Sequence, residues 1–164
     1  MPTKLIVPYY KQNRDYTCGP ACLRMALKYF GIEQDEVSLT MRCRTTVAGT
    51  GLAEVVEAAQ YWGFQGEWKI GAKIADLTTA LKRGGPVMAV VDARVLHRIE
   101  MTKPMGHMIV ILAMNNNMIF YHDPEIGPDQ SVAQSIFITA WENLRKRMVT
   151  IWPQNEMTKK RLQR

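Results

Sequence analysis

Cys18 stands where a polar loop, Gln12-Asn-Arg-Asp-Tyr-Thr, turns into an amphipathic helix, and a thiol placed there is the candidate nucleophile of this chain. Thr17 suits the N-cap, and Pro20 suits the first turn, where its missing N–H costs nothing. Cys18, Cys22, Met25, Ala26 and Tyr29 recur at helical spacing on one face, and Gly31 closes the run. Unsatisfied N–H groups and the positive end of the helix dipole both favour a thiolate at such a position. The dipole contributes only about 0.3–1 kcal/mol, less than one pKa unit. A working nucleophile therefore needs a base from elsewhere in the chain.

His107 opens a run that is otherwise apolar, Met108-Ile-Val-Ile-Leu112, and Asp123 ends the run that follows it. The two are equidistant from Asn115, the centre of the Asn115-Asn116-Asn117 loop. In an antiparallel hairpin they must lie at the same end, opposite or within a residue or two. A carboxylate there can accept from one imidazole nitrogen and fix the tautomer, leaving the other nitrogen to take a thiol proton. The hairpin makes His107 and Asp123 partners; it does not by itself bring them to Cys18.

Each residue also has an ordinary structural role to set against this one. A histidine in an apolar strand is commonly a satisfied core residue, Asp-Pro after a strand is commonly a turn, and a free cysteine is commonly a small apolar filler. Cys22, one turn beyond Cys18, reads as core packing rather than a redox pair. A structural zinc held by Cys18, Cys22, Cys43 and His107 is the rival chemistry, but the clustered two-plus-two spacing of zinc modules is absent. Cys43, between Arg42 and Arg44, is a place for a depressed pKa without an evident role. His97 and His122 read as surface or turn residues, and Trp62, Trp68, Trp141 and Trp152 as core.

The elements that must position these groups change character along the chain. Leu5 to Tyr10 reads as a short strand or extended entry segment. The helix from Cys18 follows, then short helices over Val37 to Arg44 and Leu52 to Trp62, a strand over Phe64 to Ile70, and a helix carrying Ile74, Leu77 and Leu81. Val87 to Asp92 is a continuous apolar, β-branched run of buried-strand length, and 93–105 a polar, basic connection. Gly106 to Met114 and Met118 to His122 form the hairpin. Gln130 to Ile136 reads as another strand, Phe137, Trp141 and Leu144 as a last helix, and Met148 to Trp152 as a return to the sheet. Helices first and strands later predict an α+β fold with an antiparallel sheet.

At 164 residues the chain suits one domain, taken as 1–156, followed by a basic tail over 157–164. The net charge of +6 sits largely in that tail: Lys159, Lys160, Arg161 and Arg164 supply four of the excess charges, and no acid follows Glu156. With the charge confined there and no groove of interleaved basic and aromatic residues, nucleic acid is not the expected partner. No apolar stretch approaches a signal peptide or a membrane span, and three cysteines do not make a disulfide framework. A cytoplasmic location with free thiols is the expectation.

Taken together, the motifs resemble those of the papain-like peptidases that cleave double-glycine leader peptides during bacteriocin export. That family shows a glutamine ahead of Asp-x-x-Cys-Gly, then Tyr-x-Gly, Gly-His-x-x-Val and Asp-Pro-x-x-Gly. Here they read Gln12, Asp15-Tyr-Thr-Cys18-Gly19, Tyr29-Phe-Gly31, Gly106-His107-Met-Ile-Val110 and Asp123-Pro-Glu-Ile-Gly127. The Gly49-Thr50 loop and the helix after it fit the same pattern, so the resemblance spans residues 5 to 152. It implies a papain-like fold, with an N-terminal helical part and a C-terminal antiparallel sheet facing each other across a cleft. It also implies Cys18 as nucleophile, His107 as general base and then acid, Asp123 as orienting carboxylate, and Gln12 as an oxyanion donor beside the Cys18 N–H.

The implied reaction is cleavage of a peptide or protein substrate after small residues such as Gly-Gly, with no cofactor. Members are usually the N-terminal part of a membrane-spanning, ATP-hydrolysing exporter. These residues contain neither spans nor a phosphate-binding loop, so the expectation is a stand-alone domain, with an exporter as a partner in trans. The same triad would serve an acyl or isopeptide transferase, and the same fold with an unused thiol would be a peptide-binding module.

Overall fold

The computed structural model describes residues 3–154, so the basic tail expected over 157–164 lies outside the described residues. The elements are α1 (Cys18–Tyr29), α2 (Glu36–Arg42), α3 (Leu52–Gln60), β1 (Phe64–Lys69), α4 (Ile74–Lys82), β2 (Val87–Asp92), α5 (Ala93–Leu96), β3 (Gly106–Met114), β4 (Met118–Asp123), β5 (Gly127–Ala133), α6 (Gln134–Glu142) and β6 (Arg147–Pro153). All six strands join one antiparallel sheet in the order β1-β6-β2-β3-β4-β5. The α+β expectation holds, with three helices preceding the first strand.

The sheet separates two cores, and the period of its central strands shows why. Met88 on β2 and Met108, Val110 and Leu112 on β3 face a cluster with Leu23, Met25, Leu27, Val55 and Phe64, so α1 and α3 cover that side. The alternate residues Val87, Ala89, Val91, Ile109 and Ile111 face Leu77, Phe137 and Trp141, so α4 and α6 cover the other. A strand buried on both faces reads as a continuous apolar run, as 87–91 and 108–114 do, with the polar Asp92 and His107 at the strand ends.

Several expectations shift in detail. Leu5 to Tyr10 is extended but joins no strand; it crosses the end of the hairpin through Leu5 N–H to Leu112 O (3.1 Å). The fifth strand begins at Gly127 rather than Gln130, because Pro128 needs no ladder partner on an edge strand, and Gln134 to Ile136 already belong to α6. The polar connection 93–105 contains a turn of helix, α5, anchored by the buried Asp92. That carboxylate accepts from the Arg94 backbone and guanidinium, Met105 N–H and Asn143 Nδ2. Of the four tryptophans only Trp141 is fully buried, and Trp68 on the edge strand β1 is 46% exposed.

Candidate active site

The head of α1 is shaped by contacts that leave its first N–H groups unspent. Thr17 takes the N-cap position but makes no capping bond; its hydroxyl instead accepts from Arg14 N–H and donates to Arg14 O, both at 3.0 Å. The expected cap is thus used to close the loop before the helix. Glu36, buried at the start of α2, accepts the Asn13 N–H and ties the same loop down. Gly19 is required by proximity, since a Cβ there would stand 2.9 Å from both Cβ and Oγ1 of Thr50. The Thr50 loop, turned by Gly49 at φ 107, therefore packs directly against the residue after Cys18.

The imidazole and carboxylate arrive from the sheet. Val110 pairs with His122, which puts Asp123 opposite Ile109, two residues along from His107 and on its face. His107 Nε2 lies 2.7 Å from Asp123 Oδ1. Its other nitrogen is left for Cys18, which lines the same cleft and whose charge helps to raise the imidazole. Asp123 also builds the turn that its sequence suggested: Oδ1 accepts from Glu125 N–H (2.9 Å) and Ile126 N–H (3.2 Å). Imidazole and carboxylate are joined, and the thiol at the head of α1 lines the same cleft as the ring.

Electrostatics follow that line. Burial pushes the Cys18 thiol up, but the hydrogen bond and charge of His107, with the Met108 and Gly19 backbone groups, outweigh it and leave the thiol below its ordinary value. Burial works against a charged His107, yet Asp123 and Cys18 together carry the imidazole up to about 10. Asp123 is penalised by burial and held well below the usual carboxylate range by its bonds to His107 and His97. All three directions favour the charged forms, a thiolate and an imidazolium backed by a carboxylate, over those of the isolated groups.

His97 is the residue that sequence reading misplaced. It is not a surface residue: its Nε2 lies 2.7 Å from Asp123 Oδ2 and its side chain is 7% exposed. No periodicity marks a histidine in a polar connection; only the anchoring of α5 by Asp92 brings it over the carboxylate. His122, expected at the surface or a turn, is buried and structural, with Nε2 donating to Val7 O (2.7 Å) and Nδ1 accepting from Asp129 N–H. Gln12 is buried on the loop before α1, its N–H bonded to Pro124 O (2.8 Å) next to Asp123. Its Nε2 donates to Arg14 O (2.9 Å), its Oε1 has no partner, and it does not line the cleft beside Cys18.

The other two thiols are inert by environment. Cys22 is fully buried, donates to Met108 O (3.3 Å) and is pushed well up by burial. Cys43 is likewise buried and raised to about 12; burial outweighs the neighbouring Arg44, which corrects the expectation of a depressed pKa. The rival zinc set does not assemble. Among the described residues the one cluster with metal-ligand character is His97, His107 and Asp123, whose facing atoms are already joined by two hydrogen bonds.

A cleft of about 160 Å³ opens beside Cys18 and His107, between Gly49, Thr50 and Gly51 on one wall and Val90, Gly106 and Arg147 on the other.

Comparison with known proteins agrees with this architecture. The model of the Peptidase C39-like family matches residues 4–149. A lactococcin transport/processing ATP-binding protein, LcnC-like, from Lactococcus lactis is 28% identical over 137 residues, 83% of this chain. Its relative LcnC, the lactococcin-A transport/processing protein, is 26% identical over the same length. The chain spans 18% of the length of each. Among solved structures, the peptidase domain of Streptococcus ComA superposes with a TM-score of 0.72 at 22% identity, covering 92% of this chain and 99% of that one. A C39-like peptidase structure from Bacillus anthracis gives 0.75 at 18% identity, covering 94% and 100%. Both likenesses show the papain-like peptidase fold. Among the described residues no helix is long and apolar enough to cross a membrane.

Proposed function

The chain belongs to the Peptidase C39-like family, and from that premise we propose that it is a cysteine peptidase acting through Cys18, His107 and Asp123. The observation that carries this reading is geometric: Cys18 and His107 line one cleft, and His107 Nε2 lies 2.7 Å from Asp123 Oδ1. The lowered Cys18 pKa, set by His107 against burial, agrees with it.

In the proposed reaction the Cys18 thiolate adds to the carbonyl carbon of a peptide bond, and the oxygen takes up the negative charge. The Cys18 N–H, without a backbone acceptor at the head of α1, donates to that oxygen. Gln12 is the proposed second donor; its Nε2 now bonds Arg14 O outside the cleft lining, so this role requires the side chain to swing toward Cys18 when substrate binds. The His107 imidazolium then gives its proton to the leaving nitrogen, the C–N bond breaks and a thioester remains. Neutral His107 next takes a proton from water, hydroxide adds to the thioester, and collapse releases the acid and restores the thiolate. Asp123 stays ionised throughout and holds the ring. A cleft walled by Gly49, Gly51 and Gly106 suits a substrate with small residues at the cut, such as Gly-Gly in a leader peptide. An exporter that presents such peptides in trans is the proposed partner.

Alkylation by iodoacetamide tests the reading. The expected result is selective modification of Cys18 over Cys22 and Cys43 at neutral pH, greatly slowed in His107→Ala, with peptide cleavage that disappears in Cys18→Ala. Equal, slow labelling of all three thiols would leave a peptide-binding module of the same fold. Cys18-dependent transfer of an acyl group to an amine, without hydrolysis, would mark a transferase.

A further inference from the structure

The cleft carries one charged side chain that this chemistry leaves unused. Arg147 lines it, and no carboxylate does. Arg147 pairs with Val90 between β6 and β2, and Val90 pairs with Met108 between β2 and β3. Paired residues present their side chains on one face, so the three form a row on the side that α1 covers.

Among the described residues the guanidinium has no partner, and its Nε is buried without an acceptor. The acids of the segments that wall the cleft or flank its strands are engaged elsewhere: Glu54 with Arg44, Glu142 with Lys146, and Asp92 with Arg94 and Asn143. Buried donors are almost always satisfied, and a guanidinium left unpaired in a substrate cleft is a fork waiting for a planar anion.

Neighbouring strands lie about 4.8 Å apart, so the strand of Arg147 is roughly 10 Å from the strand of His107. An extended peptide advances about 3.3 Å per residue, which makes that distance roughly three residues, shortened by the reach of the arginine itself. We propose that Arg147 is a specificity-determining residue that binds a carboxylate of the peptide substrate two or three residues from the bond attacked by Cys18. An Asp or Glu side chain and a chain-terminal carboxylate present the same fork. The proposal rests on the peptidase reading.

The test is cleavage-site profiling of a mixed peptide library by mass spectrometry, with the wild-type chain, Arg147→Gln, Arg147→Glu, Arg147→Lys and the Cys18→Ala control. The wild type should prefer an acidic group at a fixed offset from the cut by about tenfold to a hundredfold, the range of a charge-assisted hydrogen bond. Arg147→Gln should lose the preference, Arg147→Glu should turn it toward Lys and Arg, and Arg147→Lys should keep part of it. Enrichment tied to residue identity identifies a side-chain carboxylate; enrichment tied to distance from the peptide end identifies the terminal one. A wild type that cleaves without acidic preference, or a preference unchanged in Arg147→Gln, overturns the role of Arg147 and leaves the peptidase reading standing. A wild type with no Cys18-dependent cleavage of any peptide overturns both.

Discussion

Replacing Asp123 by asparagine separates the charge of this residue from its shape. Oδ1 accepts from His107 Nε2 and from the Glu125 and Ile126 N–H groups, while Oδ2 accepts from His97 Nε2. In Asp123→Asn the amide oxygen keeps the first three contacts. The amide nitrogen can donate to His97 once that ring moves its proton to Nδ1, which lies 3.9 Å from the Glu125 carboxylate. The turn survives and the negative charge is lost. A hydrogen bond to a charged group is worth about 1.5–3 kcal/mol, or one to two pKa units. His107, raised to about 10 against its burial, should fall by about that amount. The thiolate–imidazolium pair then weakens about 10- to 100-fold relative to thiol and neutral ring. NMR titration of the imidazole nitrogens reads this directly, because the chain has only three histidines. Iodoacetamide rates at neutral pH should slow in parallel. A His107 pKa unchanged in Asp123→Asn, with Tm preserved, would refute the claim that this carboxylate supports the charged ring.

Other perturbations separate the remaining parts. Gln12→Ala should cut the peptide-cleavage rate by about 2.7–4 kcal/mol of barrier, as for other oxyanion donors, yet leave alkylation of Cys18 unchanged, since alkylation forms no oxyanion. Parallel losses in both assays would mean that Gln12 only shapes the loop. His97→Ala leaves Asp123 Oδ2 without its donor and should lower stability by about 1–3 kcal/mol in urea unfolding at neutral pH. The sign with pH is fixed, because the folded-state pKa of Asp123 is depressed. Its contribution is complete above the unfolded carboxylate range and is lost as pH falls through the folded value, so the gap between wild type and His97→Ala should narrow in acid. Gly19→Ala places a Cβ against Thr50 and should cost about 1–3 kcal/mol in stability, recovered in part by Thr50→Gly. An unchanged Tm would show that the loop gives way freely.

How far the sequence could be read depended on whether a signal was local. The His107–Asp123 partnership was legible because a hairpin with a short loop fixes which residues meet, and both central strands declared themselves by unbroken apolar runs. The strand at Gly127 was not, since Ile126-Gly127-Pro128 reads as a turn until an edge position makes the proline harmless. Thr17 was legible as a cap position but not in its contact, because the choice between capping and closing the preceding turn belongs to the loop as a whole. His97 and Arg147 were illegible for a stronger reason. His97 lies in a segment whose own pattern says only that it is polar, and Arg147 opens a strand whose apolar run says nothing of its neighbours, which strand order across the sheet sets.

The three cysteines show what that long-range assembly adds. Cys18 and Cys22 stand one helical turn apart on the same face of α1, so propensity and sequence neighbourhood barely distinguish them. Yet one thiol is shifted down and the other well up. The dipole contribution of about 0.3–1 kcal/mol is too small to divide them. What divides them is deeper burial at Cys22 and, at Cys18, the ring of His107, whose pKa is raised by Asp123 2.7 Å behind it together with Cys18. Asp123 is in turn held by His97 and two backbone N–H groups. The reactivity proposed for Cys18 therefore depends on the β3–β4 hairpin and the α5 connection more than on the helix that carries it. It follows that loosening α5 at its anchor, by Asp92→Ala, should slow Cys18 alkylation and raise its pH midpoint although Asp92 touches neither thiol nor imidazole. If both stay at wild-type values while stability drops, the chain of support from Asp92 through His97 to Asp123 is structural alone.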